Sequence, residues 1–127
     1  MKIQPDFISV QSISAYGPGW IGVAGEKIVH SVVLGSRGER LDWNCQHFDA
    51  LGATHFAQLA SLGPELVIFG SGQRMRFPHA AWLRPLIEKG IGVETMDTQA
   101  ACRTYNILAG EGRHVIVALL LEPTSAP

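Results

Sequence analysis

The clearest candidate for chemistry is a glycine-rich loop, Gly70-Ser71-Gly72-Gln73-Arg74, directly after a predicted buried strand. Glycines let backbone N–H groups approach a ligand closely, and Arg74 and Arg76 add positive charge, so this loop could hold an anion. It is not a P-loop, because the Lys-Ser/Thr ending is missing, and it is not the dinucleotide fingerprint, because no third glycine opens a helix. A tight turn after a buried strand explains the same residues, and both interpretations stay open.

A second polar loop, Glu94-Thr95-Met96-Asp97-Thr98, leads into a predicted helix. Asp97 or Thr98 is a good N-cap, since its oxygen can accept a hydrogen bond from an unpaired amide of the first turn. If the strands before the two loops are parallel neighbours, the loops face each other across one crevice. A carboxylate there, Glu94 or Asp97, would be a general base or one half of an ion pair.

Cysteine and histidine give weaker signals. Arg103 follows Cys102, and a neighbouring cation can activate a thiol, but Cys102 lies about a turn into the helix and we interpret it as buried and inert. Cys45 is far away in sequence and forms no paired motif with it, which predicts two reduced thiols. The histidines show no zinc-site spacing and are expected at the surface, so we predict no metal site and no cofactor. They are His30, His47, His55, His79 and His114.

The two loops are positioned by elements of two kinds. From Phe7 to about Trp43, short alternating stretches separated by turns predict an antiparallel meander of about four strands. The later part predicts alternating helices and strands, with right-handed crossovers and a mostly parallel sheet that the meander extends or packs against. The predicted meander strands are 8–14, 20–23, 27–34 and one ending near Trp43, and the later elements are helix 56–62, strand 66–69, helix 79–89, strand 92–94, helix 98–109 and strand 115–121.

No linker or repeat divides the chain, so we predict one α/β domain over residues 1–127, with its core at about 7–121 and a loose tail at 122–127. In helix 79–89 the core face is expected to carry Trp82, Leu83, Leu86 and Ile87. Trp20, Trp43 and Trp82 are expected in packing, although an exposed tryptophan would be a natural interface anchor.

Composition excludes several classes of function. Ten Lys and Arg against 11 Asp and Glu leave a net charge of −1, which gives no electrostatic case for binding nucleic acid or an anionic membrane. The start, MKIQPDFISV, has one Lys and no continuous apolar run, so we expect a cytoplasmic protein without membrane insertion. A homodimer is one option, because small cytoplasmic domains often pair with two-fold symmetry.

Three runs of sequence carry a resemblance to a known family: 64–72, 90–108 with its long GIGVETMDTQAACRTYNIL segment, and 111–113. The chain resembles a family of small single-domain proteins of unassigned function that includes the mitochondrial NADH:ubiquinone oxidoreductase (complex I) assembly factor 3. The resemblance covers about residues 14 to 121, and the short start looks like that of a bacterial member. It implies a three-layer α/β domain and no known reaction, cofactor or catalytic residue. It draws attention to Gly70, Ser71, Gly72, Glu94, Thr98, Ala101, Asn106 and Arg113.

Two hypotheses from different classes follow. The first is a protein-binding or assembly-factor-like module, with no enzymatic activity expected, which an exposed apolar patch near Trp82 or Trp43 would support. The alternative is a small-molecule or anion site, with or without enzymatic activity, in the crevice between residues 70–74 and 94–98. The candidate ligand- or partner-binding residues are Gly70, Ser71, Gly72, Arg74, Glu94, Thr98, Asn106 and Arg113.

Overall fold

The computed structural model describes residues 10–123, which form eight strands and three helices. Two short 3-10 helices, Phe48–Ala50 and Ala80–Leu83, lie before α1 and α2 respectively. The strands are β1 Ala15–Gly17, β2 Trp20–Val23, β3 Glu26–Ile28, β4 Val32–Gly35, β5 Arg40–Asp42, β6 Leu66–Gly70, β7 Gly92–Met96 and β8 Val115–Leu119. The helices are α1 Ala53–Ala60, α2 Arg84–Glu88 and α3 Thr98–Gly110.

The main sheet has five strands in the order β5-β4-β8-β6-β7. Strands β8, β6 and β7 are parallel, whereas β4 is antiparallel to both β8 and β5. The sheet is therefore mixed, and a mostly parallel sheet is not confirmed, because the end of the meander joins it. Gly70 is aligned with Leu119 and with Met96, so the carboxyl ends of the three parallel strands share one edge.

The predicted strand 27–34 is two strands in different sheets. β3 belongs to a small antiparallel sheet, β1-β2-β3, and β4 belongs to the main sheet. The chain changes sheets at His30 and Ser31, where the buried Ser31 hydroxyl accepts a hydrogen bond from the Leu121 amide at 2.9 Å. A run of β-branched residues predicts extended backbone but carries no sign of this change. Of the predicted strand 8–14, residues 8 and 9 lie outside the described part, and residues 10–14 are not a strand.

Both faces of the main sheet are covered. β8 is buried along its whole length, which confirms the prediction from its unbroken apolar run. On one face α1, α2 and Trp43 pack against alternate residues of the main strands; this cluster includes Phe56, Leu59 and Leu86 from the helices and Val67, Phe69, Ile116 and Ala118 from the strands. On the other face α3 and the small sheet pack against the remaining strand residues; this cluster includes Ala101 and Tyr105 from α3, Ile21 and Ile28 from the small sheet, and Ile68, Val115 and Val117 from the main sheet.

The predicted helix 79–89 is only partly helical. The 3-10 turn gives way to α2, with Pro85 in its first turn, where a missing N–H leaves no bond broken. Trp82 and Leu83 are half-buried and Leu86 is buried, but Ile87 is 65% exposed, so the prediction that Ile87 faces the core is wrong. α3 confirms the predicted helix, and the Asp97 side chain caps it by accepting the Ala100 amide at 2.9 Å.

Glu122 departs from the loose tail expected from the sequence. Its carboxylate pairs with Arg76 at 2.6 Å and accepts the Phe48 amide at 3.1 Å. Among residues 10–123 no helix is both long and apolar enough to cross a membrane.

Candidate functional site

The glycine loop and the start of α3 are joined by hydrogen bonds at the carboxyl edge of the sheet. The Gly72 amide donates to the Thr98 hydroxyl at 2.9 Å, and the Thr98 amide donates to the Gly72 carbonyl at 2.8 Å. The same hydroxyl donates to the Leu120 carbonyl at 2.9 Å. We call Gly70, Ser71, Gly72 and Thr98 the strand-end knot. All four are buried, and Thr98 uses both its donor and an acceptor site inside it.

Ser71 holds the chain that follows the knot. Its hydroxyl donates to the Arg74 carbonyl at 2.8 Å and accepts the Arg76 amide at 2.9 Å. The Arg76 guanidinium donates two hydrogen bonds to the Ser71 carbonyl, at 3.1 and 2.6 Å. Residues 71–76 are therefore a compact turn in which the polar groups of Ser71 and Arg76 are paired with the turn itself rather than turned towards a ligand.

Arg76 also ties this turn to the end of the chain. Its guanidinium pairs with Glu122 at 2.6 Å and lies over the Phe48 ring, 4.7 Å from the centroid. Gly72 stands beside this pair with φ +106°, and a Cβ there would lie 2.6 Å from the guanidinium and 2.7 Å from the carboxylate. Only glycine fits, so the position serves backbone geometry and packing.

Little space remains where the crevice was expected. The cavity that borders both loops has a volume of about 10 Å³ and is lined in part by Gly72, Gln73, Thr98, Gln99 and Glu122. A volume of this size holds about one water molecule. This cavity is therefore too small for a ligand much larger than water.

Arg74 and Glu94 are not brought together. Arg74 is exposed, and only its carbonyl takes part in the turn. Glu94 is exposed in the middle of β7, opposite Ile68 and two residues before the strand ends. Neither side chain forms an ion pair within residues 10–123. The two strands are parallel neighbours, as the crevice required, but Glu94 is aligned with Ile68 rather than with Gly70 at the strand end.

Asn106, on α3, binds the backbone of the segment before β1. Its amide side chain pairs with the backbone of Ile13, accepting the N–H at 2.9 Å and donating to the carbonyl at 2.8 Å. The residue before it in α3 does the same, since the Tyr105 hydroxyl donates to the Gln11 carbonyl at 2.6 Å. Both residues hold the extended segment before β1 against α3.

Arg113 lies at the opposite end of the sheet, where it pairs with Glu65 at 3.3 Å. The next residue, His114, is buried and lies 2.6 Å from Glu39, which corrects the expectation that all histidines are at the surface. Burial acts to raise the pKa of Glu39, but hydrogen bonds from His114 and from backbone amides outweigh it and lower that pKa below the usual 4.5. This end is an ion-pair network that joins the β4–β5 turn to β8.

The two cysteines are free and buried. Burial raises the pKa of the Cys102 thiol to about 12, although Arg103 acts against it. Burial also raises the pKa of Cys45, whose thiol donates to the His47 carbonyl at 3.0 Å. The prediction that Cys102 is buried is confirmed. That its thiol is inert stays a prediction, which the raised pKa supports because little thiolate is present.

A shallow cleft of about 400 Å³ lies beside Cys45 at the carboxyl edge of the sheet. Its rim carries the exposed pair His30 and Asp42, 3.6 Å apart. Within the described residues no three His, Cys, Asp or Glu side chains are grouped so that they could hold a metal ion. Trp43, which also lines the cleft, is 2% exposed and belongs to the core rather than to an interface.

An exposed apolar surface continues from the knot, and it was not among the candidate sites. Met75, near the end of the turn, is 51% exposed, and Phe77, directly after the turn, is 70% exposed. We call residues 73–77 the loop surface. Pro78, the next residue, is buried and anchors its far end. The available signal was two large apolar residues among the polar ones of a predicted loop, which are normally expected in a core.

Comparison with known proteins places the chain in a family. Residues 13–120 match the family model described as a protein of unknown function (DUF498/DUF598). A mouse protein named NADH dehydrogenase [ubiquinone] 1 alpha subcomplex assembly factor 3 is 28% identical over 95% of this chain and 66% of its own length. The zebrafish protein of that name is matched over 51% of its length, so the chain spans between about half and two thirds of these relatives.

Two solved structures have the same fold. A Bordetella parapertussis crystal structure is 40% identical, covers 90% of this chain and 98% of its own, and superposes with a TM-score of 0.84. A Bordetella pertussis solution structure, described as an Mth938-like domain, is 33% identical over 98% of this chain and 95% of its own, with a TM-score of 0.83. The family match spans most of the sequence, and the chain belongs to the DUF498/DUF598 family.

Proposed function

We propose that this chain is a protein-binding module of the assembly-factor type and that it binds its partner through the loop surface. The observation that carries the proposal is the 70% exposure of Phe77 on a turn whose backbone is fixed on both sides. Aromatic side chains supply much of the energy of protein interfaces when a partner buries them. Large apolar residues that are exposed on a loop with a fixed backbone are therefore well suited to bind a partner protein.

The hydrogen bonds of the turn support this role. Ser71 and Arg76 fix the backbone before Phe77, and buried Pro78 fixes it afterwards. A loop that is already ordered loses little conformational entropy on binding, so more of the contact energy appears as affinity. Under this proposal the strand-end knot acts indirectly, by presenting the loop surface to a partner.

The relatives point in the same direction. The mouse protein is named as an assembly factor of the NADH dehydrogenase 1 alpha subcomplex, a name that suggests protein partners. We extend to this chain only the general role, protein binding during assembly, and we propose the cytoplasm as its location. The alternative, a small-molecule site between the two loops, has less support because the space there is about 10 Å³.

The test is affinity capture from the native cell with quantitative mass spectrometry. The tagged wild-type chain is compared with a Met75→Ser/Phe77→Ser variant and with Ile107→Ser, a control that changes a 62% exposed apolar residue on α3. We expect the double variant to lose at least about tenfold of a stoichiometric partner. Ile107→Ser should retain that partner.

Thermal unfolding of the same variants shows whether a loss reflects binding or folding. All three proteins should unfold within a few degrees of one another, because the changed side chains are exposed. Equal partner recovery from the wild type and the double variant would refute the proposal. A metabolite that co-purifies in place of any protein would favour the small-molecule alternative.

A further inference from the structure

A second exposed apolar feature lies on the outer side of α2. It is a shallow groove lined by Ala80, Ala81, Arg84, Ile87 and Glu88. These positions follow one stripe of the 3-10 turn and the helix, whereas Leu86 is buried on the opposite side. Ile87, which lies between the charged residues Arg84 and Glu88 along the helix, is 65% exposed.

Arg84 and Glu88 give this groove its pattern of charge. They are one helical turn apart on the same face, and both are exposed. Within residues 10–123 neither of them forms an ion pair. The groove therefore presents a positive group, an apolar side chain and a negative group in that order along α2.

We propose that this groove binds a second copy of the same chain, with the two α2 helices antiparallel across a two-fold axis. An axis midway between Arg84 and Glu88 places Arg84 of each copy beside Glu88 of the other, so that both ion pairs form at once. The two Ile87 side chains then meet next to the axis. The small side chains of Ala80 and Ala81 allow the second copy to approach closely.

Charge complementarity selects this occupant over others. An isologous contact needs one patch that is complementary to itself, and a +/apolar/− sequence along a helix has that property when the helix is reversed. An anionic membrane would be attracted by Arg84 but repelled by Glu88, and a uniformly acidic or basic partner meets the same conflict. Only a partner with the reversed order satisfies both charges.

The contact is small. A groove centred on a five-residue helix buries less than the roughly 1,200–2,000 Å² of stable interfaces. We therefore expect a reversible dimer with a Kd of about 10–100 μM. The inference stands on residues other than those of the proposed function, although a dimer would present two loop surfaces and so strengthen binding to a multi-subunit partner.

The experiment is sedimentation velocity of the full chain from about 5 to 500 μM, a range that brackets this Kd. The wild type should shift from monomer to dimer across the range. Arg84→Glu and Glu88→Arg should each weaken the dimer at least about tenfold, because each leaves two like-charge contacts at the axis. Arg84→Glu/Glu88→Arg reverses the order of charges in both copies and should restore the Kd to within about threefold of the wild type.

Two aspartate substitutions serve as a matched pair. Ile87→Asp should abolish the dimer, whereas Ile107→Asp, which changes an equally exposed residue on α3, should not. A wild type that stays monomeric at every concentration overturns the inference. The inference is also overturned if Arg84→Glu leaves the dimer unchanged, or if the double exchange does not restore it. Either result would place the contact between the two copies elsewhere. Partner capture through Phe77 is measured separately, so either proposal can fail while the other holds.

Discussion

The strand-end knot and the loop surface are adjacent in the chain but opposite in character. In the knot, the Thr98 hydroxyl and the Gly72 amide are buried and paired. On the loop surface, Phe77 and Met75 are exposed, and Arg74 forms no ion pair within residues 10–123. The glycines, Ser71 and Thr98, which were candidates for binding a ligand, therefore hold the fold together at this edge of the sheet. The residues left free to bind are ordinary apolar ones that follow them.

The largest effect is expected inside the knot. Thr98→Val keeps the shape of the side chain but leaves the Gly72 amide and the Leu120 carbonyl buried without partners. Each unpaired group costs about 1–3 kcal/mol, so we expect about 2–4 kcal/mol less stability. Urea unfolding at neutral pH measures the loss. Thr104→Val, on the same helix, is the control, and equal stability of the two variants would show that the knot contributes nothing.

A smaller effect is expected where the turn meets Glu122. Arg76→Met removes a part-buried ion pair and the hydrogen bonds to the Ser71 carbonyl. We expect about 2 kcal/mol of destabilisation, because Glu122 loses its cationic partner and keeps only the hydrogen bond from the Phe48 amide. Arg74→Met changes the same residue type in the same loop and should cost less than about 0.5 kcal/mol. The comparison fails if the two substitutions cost the same.

The far end of the sheet predicts a pH dependence. Because the folded-state pKa of Glu39 is lowered, its stabilisation is fully present above the unfolded value of 4.5 and is lost as pH falls through the folded value. Glu39→Gln should cost about 1–2 kcal/mol at pH 7 and should flatten the stability profile below pH 4.5. Unfolding curves across this range test the sign. An unchanged slope, as expected for the control Glu111→Gln, would contradict it.

The smallest effect on stability belongs to the loop surface. Phe77→Ala should change the free energy of unfolding by less than about 0.5 kcal/mol, since the ring buries little area in the isolated chain. Denaturant unfolding of this variant beside the wild type provides the measurement. A loss of more than about 2 kcal/mol would mean that the ring packs into the fold, and the distinction between knot and loop surface would disappear.

The elements predicted well are those whose signals are local. The unbroken apolar runs of β6 and β8 indicated strands covered on both faces, and the cap at Asp97 indicated the start of α3. The break between β3 and β4 was missed, because β-branched residues favour extended backbone equally in either sheet. Ile87 was misplaced since a helix of five residues is too short for its periodicity to define a core face.

The candidate site was predicted only in part. The meeting of Gly72 with Thr98 follows from the alignment of parallel strands, which the sequence pattern allows one to infer. The sequence pattern does not show that Arg76, rather than Arg74, is bound within the turn. That depends on the ion pair with Glu122, 46 residues from Arg76. Phe77 carried no motif, and its exposure is decided by how Ser71 and Pro78 fix the turn.

Site-specific photo-crosslinking in the native cell tests directly whether a partner protein binds at Phe77. The photoreactive amino acid p-benzoylphenylalanine replaces Phe77 in one version of the chain and Glu94 in another, and crosslinked proteins are identified by mass spectrometry. If a partner binds the loop surface, position 77 gives a discrete crosslinked protein and position 94 gives none. A crosslink from position 94 with none from position 77 would contradict it and would move the binding surface to the edge of β7.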